Sequence, residues 1–443
     1  MTPLPPGSKA PALVQSFRYW TAPRHTLHTW RRRYGDVFMA TVYPLGKVVF
    51  LCDVEDIRQL LKTDPDIVPT GVANAALGSL PSEYSVLSID GERHMRARRL
   101  LMPAFHGRAV QRQIDSIAEL AVENMTKWPT GRPFKIHPHM RELALQIILR
   151  VVMGIDNHRM HAVRDALIRL CTDESVLELA LGGASAKVLP YAKRREQHLV
   201  EAHELLQQQI ETHRNGGDLA ERTDVLAMLL AARDDNGEPM CDREIRDQLI
   251  TLLLAGHETT AAGLSWAFER LTRNPDVLVK ARAAADDDDQ DYLEALVKET
   301  LRTRSVVPDL SRMAAEEIEV GGFRVEKGTI LVPCIDMVHE SPHLFPEPDR
   351  FRPERFLGDR SVQVNWLPFG GGVRRCIGAT FSLVEMRVVL REILRRVEFV
   401  PTSEPDEPRR RTHVTVEPAK GAVVTVYARN TASGSVDNTV LAG

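Results

Sequence analysis

The feature that most constrains the fold is a long helix predicted near the middle of the chain. Its pattern begins at Asp242, continues to about Asn274 and ends at Pro275, which cannot continue a helix. Roughly 30 residues at about 1.5 Å each give about 45 Å, enough to cross a whole domain. The middle of the helix, residues 249–255 (LITLLLA), is apolar on every side. The sequence therefore predicts that this helix is buried in a core.

A polar segment, residues 255–260 (AGHETT), interrupts the apolar middle of this helix. The interruption argues against a transmembrane span, and buried polar groups are costly unless they serve a purpose. A zinc-protease motif is excluded, because it would need a histidine where Ala261 stands. One interpretation is a threonine that bonds back to the preceding turn and bends the helix. An opened helix also leaves room for a small ligand or water, so both interpretations can hold together.

A second constrained segment is residues 369–378 (FGGGVRRCIG), where three glycines precede a single cysteine, Cys376. Glycines let the backbone approach a flat ligand closely, and N–H groups in such a loop can stabilise a negatively charged sulfur. A thiolate held in this way suits the axial position of a haem iron. On this segment alone, a buried and inert cysteine is an equally good interpretation. A phosphate loop is the weaker alternative, since the lysine and hydroxyl pair that should end it are missing.

Composition and cysteine content limit the classes of protein to consider. The 443 residues are 43% hydrophobic, ample for a large core, and length alone would suggest about three domains. Lys and Arg (57) nearly balance Asp and Glu (60), so the overall charge points neither to nucleic acid nor to an anionic membrane. The five cysteines show no C-x-x-C pair, which excludes a zinc-ribbon or iron–sulfur spacing and favours a reducing, cytoplasmic location. Residues 1–11 contain no apolar segment, so neither a signal peptide nor a membrane anchor is expected.

The chain is expected to be mainly helical with small β regions. Residues 1–15 are interpreted as a loose, flexible arm, residues 37–52 as a β-hairpin, and residues 65–90 as a long loop of the kind that often binds ligands. From Gly91 to Asn274 the pattern is mostly helical, and short strands follow. Residues 430–443 are expected to be flexible. No internal repeat and no long Gly/Ser linker divides the chain into domains.

Four motifs in register resemble the cytochrome P-450 family of haem-thiolate monooxygenases. They are residues 255–260, 299–302 (ETLR), 353–356 (PERF) and 369–378. The resemblance spans the whole chain, and it implies that Cys376 is the proximal ligand of the iron. It also implies a single domain over residues 1–443, not three. The implied fold is a mainly helical triangular prism with small β regions and a long central helix over the haem.

The resemblance implies roles for further residues around a haem b cofactor. Its propionates are expected to be held by His94, Arg98, Arg312 and Arg374. The residues expected to line it are Ala255, Gly256, Phe369, Gly370, Gly372 and Gly378. Phe369 would pack near the sulfur, and Gly256 would leave space for oxygen and substrate. His94 departs from the family's usual tryptophan, and Arg374 stands where many bacterial members have histidine, but each can donate to a propionate. Glu299, Arg302 and Arg355 resemble the family's buried charge triad.

Glu258 and Thr259 are the expected catalytic residues. The chemistry of dioxygen needs two protons, and these neighbours offer a carboxyl group and a hydroxyl. Thr259 would order water, while Glu258 would bring protons from solvent. Two other classes remain: a haem-thiolate isomerase or dehydratase, which would not need this pair, and a haem sensor or carrier, for which no signalling domain is visible.

Separate proteins are expected to supply the electrons. No G-x-G-x-x-G segment follows a strand, so a ferredoxin and its reductase are the expected donors. They would dock on a positive face formed by Arg93, Arg96, Arg99 and Arg375. The expected substrate segments, residues 70–90, 181–185 and 306–310, are mostly apolar and favour a small hydrophobic substrate.

Overall fold

The structure is a computed structural model that describes residues 2–76, 83–154, 190–217, 219–358, 360–412 and 414–429. It is mainly helical, as the sequence predicts. The α-helices in these residues are α1 Ala12–Thr21, α2 Pro23–Tyr34, α3 Val54–Lys62, α4 Gly71–Ala76, α5 Gly91–Leu101, α6 Arg108–Gln111, α7 Ile114–Met125, α8 His137–Met153, α9 Pro190–Asn215, α10 Val225–Ala231, α11 Asp242–Arg273, α12 Pro275–Asp286, α13 Gln290–Thr303, α14 Ile335–His339, α15 Arg360–Val364 and α16 Ala379–Arg396. Within these residues no helix is both long enough and apolar enough to span a membrane.

The strands of the described residues form small sheets. They are β1 Val37–Val42, β2 Gly46–Leu51, β3 Phe134–Lys135, β4 Arg312–Met313, β5 Ile318–Val320, β6 Phe323–Val325, β7 Ile330–Pro333, β8 Val397–Phe399, β9 Arg409–Thr412, β10 Thr415–Pro418, β11 Val423–Val424 and β12 Val426–Ala428. The largest sheet has the order β1-β2-β7-β4, and the other strands form two-stranded pairs. In it β1 and β2 form the predicted hairpin, with Val37 opposite Leu51, while β2 runs parallel to β7.

The predicted loose arm at residues 1–15 is wrong within the described residues. Residue Gly7 bridges to Met39 of β1, and the Pro6 carbonyl accepts a hydrogen bond of 2.8 Å from the Met39 N–H. Helix α1 then begins at Ala12. A proline has no N–H to donate, but its carbonyl can still pair with the edge of a sheet, which the composition did not reveal. Residues 430–443 lie outside the described residues.

The long central helix is confirmed as α11, which is buried over most of its length. It begins with a capping interaction in which the Cys241 N–H donates to the Glu244 carboxylate at 2.9 Å. It ends before Pro275, whose missing N–H suits the first position of α12. Helices α8 and α16 pack against it. At Gly263 an added Cβ would lie 3.0 Å from the Met386 Cε atom of α16, so glycine permits this close packing.

The predicted charge triad is confirmed in the buried space between α13 and the segment before the cysteine loop. Glu299 accepts hydrogen bonds from Arg302 at 2.7 and 2.9 Å and from Arg355 at 3.1 Å. The Arg352 N–H donates to the same carboxylate at 2.8 Å. Removing one partner of such a buried group typically costs about 3–5 kcal/mol, because the remaining charge is left uncompensated. The triad therefore fixes the chain that leads into the cysteine loop.

Candidate functional site

The cysteine loop, residues 369–378, is a tight turn held by its own backbone. The Cys376 N–H donates to the Phe369 carbonyl at 2.9 Å, and the Gly378 N–H donates to the Cys376 sulfur. Gly370 and Gly372 have φ values of +66° and +62°, which glycine adopts without strain. Helix α16 begins directly after the loop. The sulfur therefore lies at the start of a helix, where N–H groups favour negative charge.

The glycines of this loop serve different purposes. A Cβ at Gly372 would lie 1.9 Å from the Leu61 carbonyl oxygen at the end of α3, so this glycine allows the loop to pass α3. The expectation that Gly372 lets a haem lie close stays a prediction. At Gly370 an added Cβ would meet Leu310 at 3.3 Å, whereas at Gly378 it would meet nothing within 4 Å. Open space of the predicted kind is thus found at Gly378.

The Cys376 side chain is exposed although protein surrounds it on most sides. These observations agree if the sulfur faces an open space inside the fold. Burial raises the pKa of the Cys376 thiol, while the Gly378 N–H and the charges of Arg98 and Arg375 lower it by less. A thiolate in this place therefore needs a further positive charge, which a metal ligated by the sulfur would supply.

Four cationic or donor side chains lie near one another beside the loop, and we refer to them as the cation group: His94, Arg98, Arg312 and Arg374. Their charges act on one another, and Asp90 is the carboxylate that acts on His94, Arg312 and Arg374. Burial and the charge of Arg374 lower the pKa of Arg312 to about 10. The predicted residues are thus brought together with more positive charge than Asp90 can balance, and two haem propionates would supply the missing negative charge.

His94 and Arg98 lie four residues apart on α5, as predicted. Burial, together with the charges of Arg374 and Arg98, lowers the pKa of His94 to about 4. The ring is therefore neutral at pH 7 and carries a single N–H. It can donate one hydrogen bond to an anion without adding charge. This agrees with the expectation that His94 replaces the family's usual tryptophan as a donor.

Arg374 is engaged by the protein in a way that the sequence did not indicate. Its terminal nitrogens donate to the carbonyls of Val86 at 3.0 Å and Ile89 at 2.5 Å, and one of them pairs with Asp90. The Asp90 carboxylate also accepts hydrogen bonds from the N–H groups of Thr70 and Gly71. The Arg374 Nε atom is buried and has no partner in the described residues. The Nε hydrogen and the second Nη1 hydrogen are therefore the donors of Arg374 that remain for a propionate.

These observations fit a haem b on this side of the cysteine loop. The sulfur is accessible, the position beside Gly378 is open, and the cation group has an excess of positive charge. Phe369 packs on the main core and lies edge-on to Trp366, with ring centroids 5.6 Å apart. The Phe369 backbone carbonyl accepts a hydrogen bond from the Cys376 N–H, and this bond fixes the backbone of the cysteine.

The centre of α11 is open on one face, although most of the helix is buried. Ala255 is exposed and Thr259 is partly exposed. They are four residues apart and share this face, and the Thr259 hydroxyl donates to the Ala255 carbonyl at 2.7 Å. The back-bond considered from the sequence is therefore present. It uses the hydroxyl hydrogen and leaves the oxygen able to accept a hydrogen bond from water.

Gly256 lies where α8 and α11 approach each other closely. A Cβ at this position would lie 2.9 Å from the Ile148 Cδ1 atom of α8. Glycine thus fits the close approach of α8 and α11, where a larger residue would have to displace the end of the Ile148 side chain. The expectation that Gly256 leaves space for oxygen and substrate stays a prediction, and Ala255 is the exposed small residue on the open face.

Glu258 is turned away from Thr259, because adjacent residues on a helix differ by about 100° in direction. Its carboxylate accepts from Arg141 of α8 at 2.5 Å and lies 3.2 Å from the His257 Nε2 atom. Burial raises the pKa of Glu258, but the hydrogen bond from His257 and the charge of Arg141 outweigh it, so the pKa lies below its usual value. The expected acid is therefore a carboxylate at neutral pH, and it must gain a proton before it can give one.

Glu385 of α16 is a buried carboxyl group that the motifs did not single out. Within the described residues the Thr260 hydroxyl is its hydrogen-bond partner, and burial raises the pKa of Glu385 to about 8. It is therefore protonated at pH 7. A signal was present in the sequence, since Glu385 is the single charged residue in an apolar run at the start of a helix. The bond to Thr260 ties α16 to the turn of α11 that contains Thr259.

We expect Glu385 to make stability fall as pH rises. The pKa of Glu385 is about 8 in the folded state and near 4.5 in the unfolded chain, so only the folded state holds the proton between these values. In this window wild type should lose about 1.4 kcal/mol per pH unit relative to Glu385→Gln. Urea unfolding of both proteins at several pH values would measure the difference. Parallel pH profiles would contradict a raised pKa of Glu385.

Two arginines of the expected docking face are neutralised by neighbouring carboxylates. Arg96 pairs with Asp234 at 2.6 Å, and Arg99 pairs with Asp235. Arg375 is exposed and makes no ion pair within the described part of the chain. The predicted face on α5 is therefore wrong for Arg96 and Arg99. The expected substrate segment at residues 181–185, like residues 77–82, lies outside the described residues.

Comparisons with known proteins agree with this arrangement. The model of the family described as cytochrome P450 matches residues 4–426. Cytochrome P450 135B1 of Mycobacterium tuberculosis is 44% identical over 439 residues, which cover 98% of this chain and 93% of the relative. Cytochrome P450 135A1 of the same species is 38% identical over 442 residues, covering 99% and 98%. Among solved structures, retinoic acid bound cyanobacterial CYP120A1 superimposes with a TM-score of 0.80 at 22% identity, covering 97% of this chain and 100% of that chain.

Proposed function

The chain belongs to the cytochrome P450 family and is a haem-dependent monooxygenase, and we propose that Cys376 binds the iron and that the substrate is a small hydrophobic molecule. The accessible Cys376 sulfur inside the fold, beside the cation group, is the observation that carries this proposal. Members of the family bind haem through a cysteine thiolate. When bound, the haem supplies the iron at which dioxygen is activated.

The cation group would hold the haem by its propionates. Arg98 and Arg312 bring full charges, His94 brings one neutral N–H, and Arg374 already pairs with Asp90 and has fewer donors left. Arg312 is buried, and its depressed pKa supports an unfilled need for a counter-charge. This difference in available donors predicts that Arg98 and Arg312 contribute more to haem retention than Arg374 does.

A hydrophobic substrate is supported by the open face of α11 and its surroundings. Ala255 is exposed and Leu252, one turn earlier, is incompletely buried. Leu310 lies against Gly370 of the cysteine loop and is also incompletely buried, as is Val307. Apolar side chains that remain accessible inside a fold favour an apolar ligand, since its binding removes their surface from water.

Proton delivery is proposed to depend on Glu258 and Thr259 in separate roles. The Thr259 oxygen can hold a water on the open face, because its own hydrogen is fixed on the Ala255 carbonyl. Glu258 is held on the other side by Arg141, so it must leave this ion pair to move a proton toward that water. The pair thus consists of a hydroxyl held by its back-bond and a carboxylate held by an ion pair. A carboxylate beside partly exposed Arg141 can take its proton from solvent.

The electron donor is proposed to be an acidic ferredoxin, itself reduced by a ferredoxin reductase. Arg375 is exposed next to Cys376, and Arg108 and Arg112 are exposed at α6, which packs against α16. These three side chains form a positive surface close to the proposed iron ligand. A cluster of positive groups attracts an acidic partner at long range, and salt weakens this attraction.

Reconstitution tests this function directly. Holoprotein is mixed with a ferredoxin, its reductase and lipophilic compounds that change its optical spectrum, under ¹⁸O-labelled dioxygen. We expect a product that carries one labelled oxygen atom, and about tenfold slower reduction at low salt for Arg108→Glu/Arg375→Glu than for the exposed control Arg350→Glu. Oxygen taken from water would exclude monooxygenation. Equal reduction rates of the two variants would place the docking surface elsewhere.

A further inference from the structure

Helix α1 presents its apolar face to solvent and its polar face to the protein. The side chains of the apolar stripe, Leu13, Val14, Phe17 and Trp20, are all exposed. Leu13 and Phe17 are 75% and 69% exposed, more than any other large apolar side chain in the described residues. The residues buried on the opposite face are Gln15, Ser16 and Tyr19. An amphipathic helix at a protein surface normally has the reverse arrangement.

Hydrogen bonds to β1 and its turn hold α1 in this orientation. Gln15 accepts from the Thr41 N–H at 2.9 Å and donates to the Ala10 carbonyl at 2.7 Å. Ser16 accepts from the Tyr43 N–H at 2.9 Å. Turning the helix to bury the stripe would break these bonds and leave buried polar groups without partners. The outward direction of the apolar stripe is therefore fixed by the fold.

The segment of the chain that contains the stripe carries positive charge only. Residues 1–35 contain six Lys and Arg residues and no Asp or Glu, in a chain whose net charge is −3. Lys9, Arg18, Arg32 and Arg33 are exposed, and none of them forms an ion pair within the described ranges. Arg18 directly follows Phe17 of the stripe. An apolar face bordered by free cations is complementary to an apolar layer bordered by anions.

Aromatic side chains lie where the stripe meets the charged border. Trp20 donates its ring N–H to the Tyr43 carbonyl at 2.8 Å, and the Tyr43 ring is itself exposed. This bond fixes the indole at the surface, with its polar atom satisfied by the protein. Tryptophan and tyrosine in such positions favour the boundary between lipid headgroups and acyl chains.

We propose that this surface of α1 docks on a lipid bilayer that contains anionic headgroups. The apolar stripe would enter the boundary between headgroups and acyl chains, and the free cations would contact the phosphate groups. The binding is peripheral, through one face of a surface helix. A second copy of the chain is a poorer occupant, because two surfaces of this kind would bring like charges together around the stripe.

Sedimentation with vesicles tests the proposal on full-length holoprotein. Wild type is expected to bind vesicles of phosphatidylcholine mixed with phosphatidylglycerol, and to bind pure phosphatidylcholine far less. Leu13→Glu/Phe17→Glu should weaken binding at least about tenfold, since it places charge in the apolar stripe. The matched control is Val279→Glu/Val364→Glu, which changes two equally exposed valines outside α1. Arg32→Gln/Arg33→Gln should bind less and depend less on salt.

Four outcomes would overturn the proposal. They are absence of vesicle binding by wild type, equal binding to neutral vesicles, an equal loss in the control variant, and self-association that Leu13→Glu/Phe17→Glu abolishes. Thermal unfolding and the optical spectrum of each variant show whether the fold and the haem site are intact. Because α1 is remote from the proposed catalytic residues in sequence and contacts the sheet, turnover of a soluble substrate should not change.

Discussion

Cys376→His is expected to abolish the red-shifted Soret band that a haem-thiolate protein gives when reduced in carbon monoxide. That band requires a sulfur ligand, and Cys376 is the exposed cysteine of the glycine loop, where the Gly378 N–H donates to its sulfur. An imidazole in its place would give the spectrum of a histidine-ligated haem. The expected effect is complete loss of the band, with the haem still bound through the propionate contacts.

Two control variants make this test specific. Cys241→Ser changes an exposed cysteine at the start of α11, and Cys334→Ser changes a buried one. Both are expected to keep the band, because neither side chain lies in the cysteine loop. Retention of the band in Cys376→His would remove Cys376 as the iron ligand, whereas its loss in Cys241→Ser or Cys334→Ser would mean that the assay reports folding.

Glu258→Gln is expected to slow turnover by about 10²–10⁴-fold, the usual range for a positioned acid–base group. The amide keeps the shape of the side chain but cannot carry a proton, and it loses the ion pair with Arg141. Thr259→Ala should instead keep its rate of reductant consumption and release hydrogen peroxide in place of product. The ratio of product to reductant consumed, together with the turnover rate, separates the two effects.

Conservative variants at the same positions are the matched controls. Glu258→Asp keeps a titrating group and should recover part of the rate, and Thr259→Ser keeps the hydroxyl and should recover the coupling. A purely structural role predicts lower thermal stability with normal coupling in Thr259→Ala. Coupling equal to wild type in that variant would exclude Thr259 from proton delivery, and a normal rate in Glu258→Gln would exclude Glu258.

The elements with a clear pattern were predictable from the sequence. The apolar middle of α11, its end at Pro275 and the β1–β2 hairpin all follow from local periodicity and turn residues. The cysteine loop and the Glu299 triad followed from the resemblance. By contrast, α1 was missed, because its apolar face points outward and its first residues follow a proline-rich segment. Helix α4 was missed because a single short turn leaves no period to detect.

The roles of individual site residues were less predictable, since they depend on partners far away in the sequence. A side chain larger than glycine at position 256 would meet Ile148 of α8, and Arg141 of the same helix pairs with Glu258. Neither partner is part of a motif. The sequence predicts Arg96 to be a docking residue, but in the folded chain it pairs with Asp234. Spacing can suggest which residues share a helix face, but it cannot show what stands opposite them.

The Asp90 carboxylate bonds to two parts of the chain that are far apart in the sequence. The same carboxylate that pairs with Arg374 of the cysteine loop also receives the N–H groups at the start of α4. A molecule that displaces α4 must therefore redistribute the hydrogen bonds of Asp90, and with them the field at the cysteine loop. A change at α4 would in this way alter the charge balance at Arg374, which belongs to the cysteine loop.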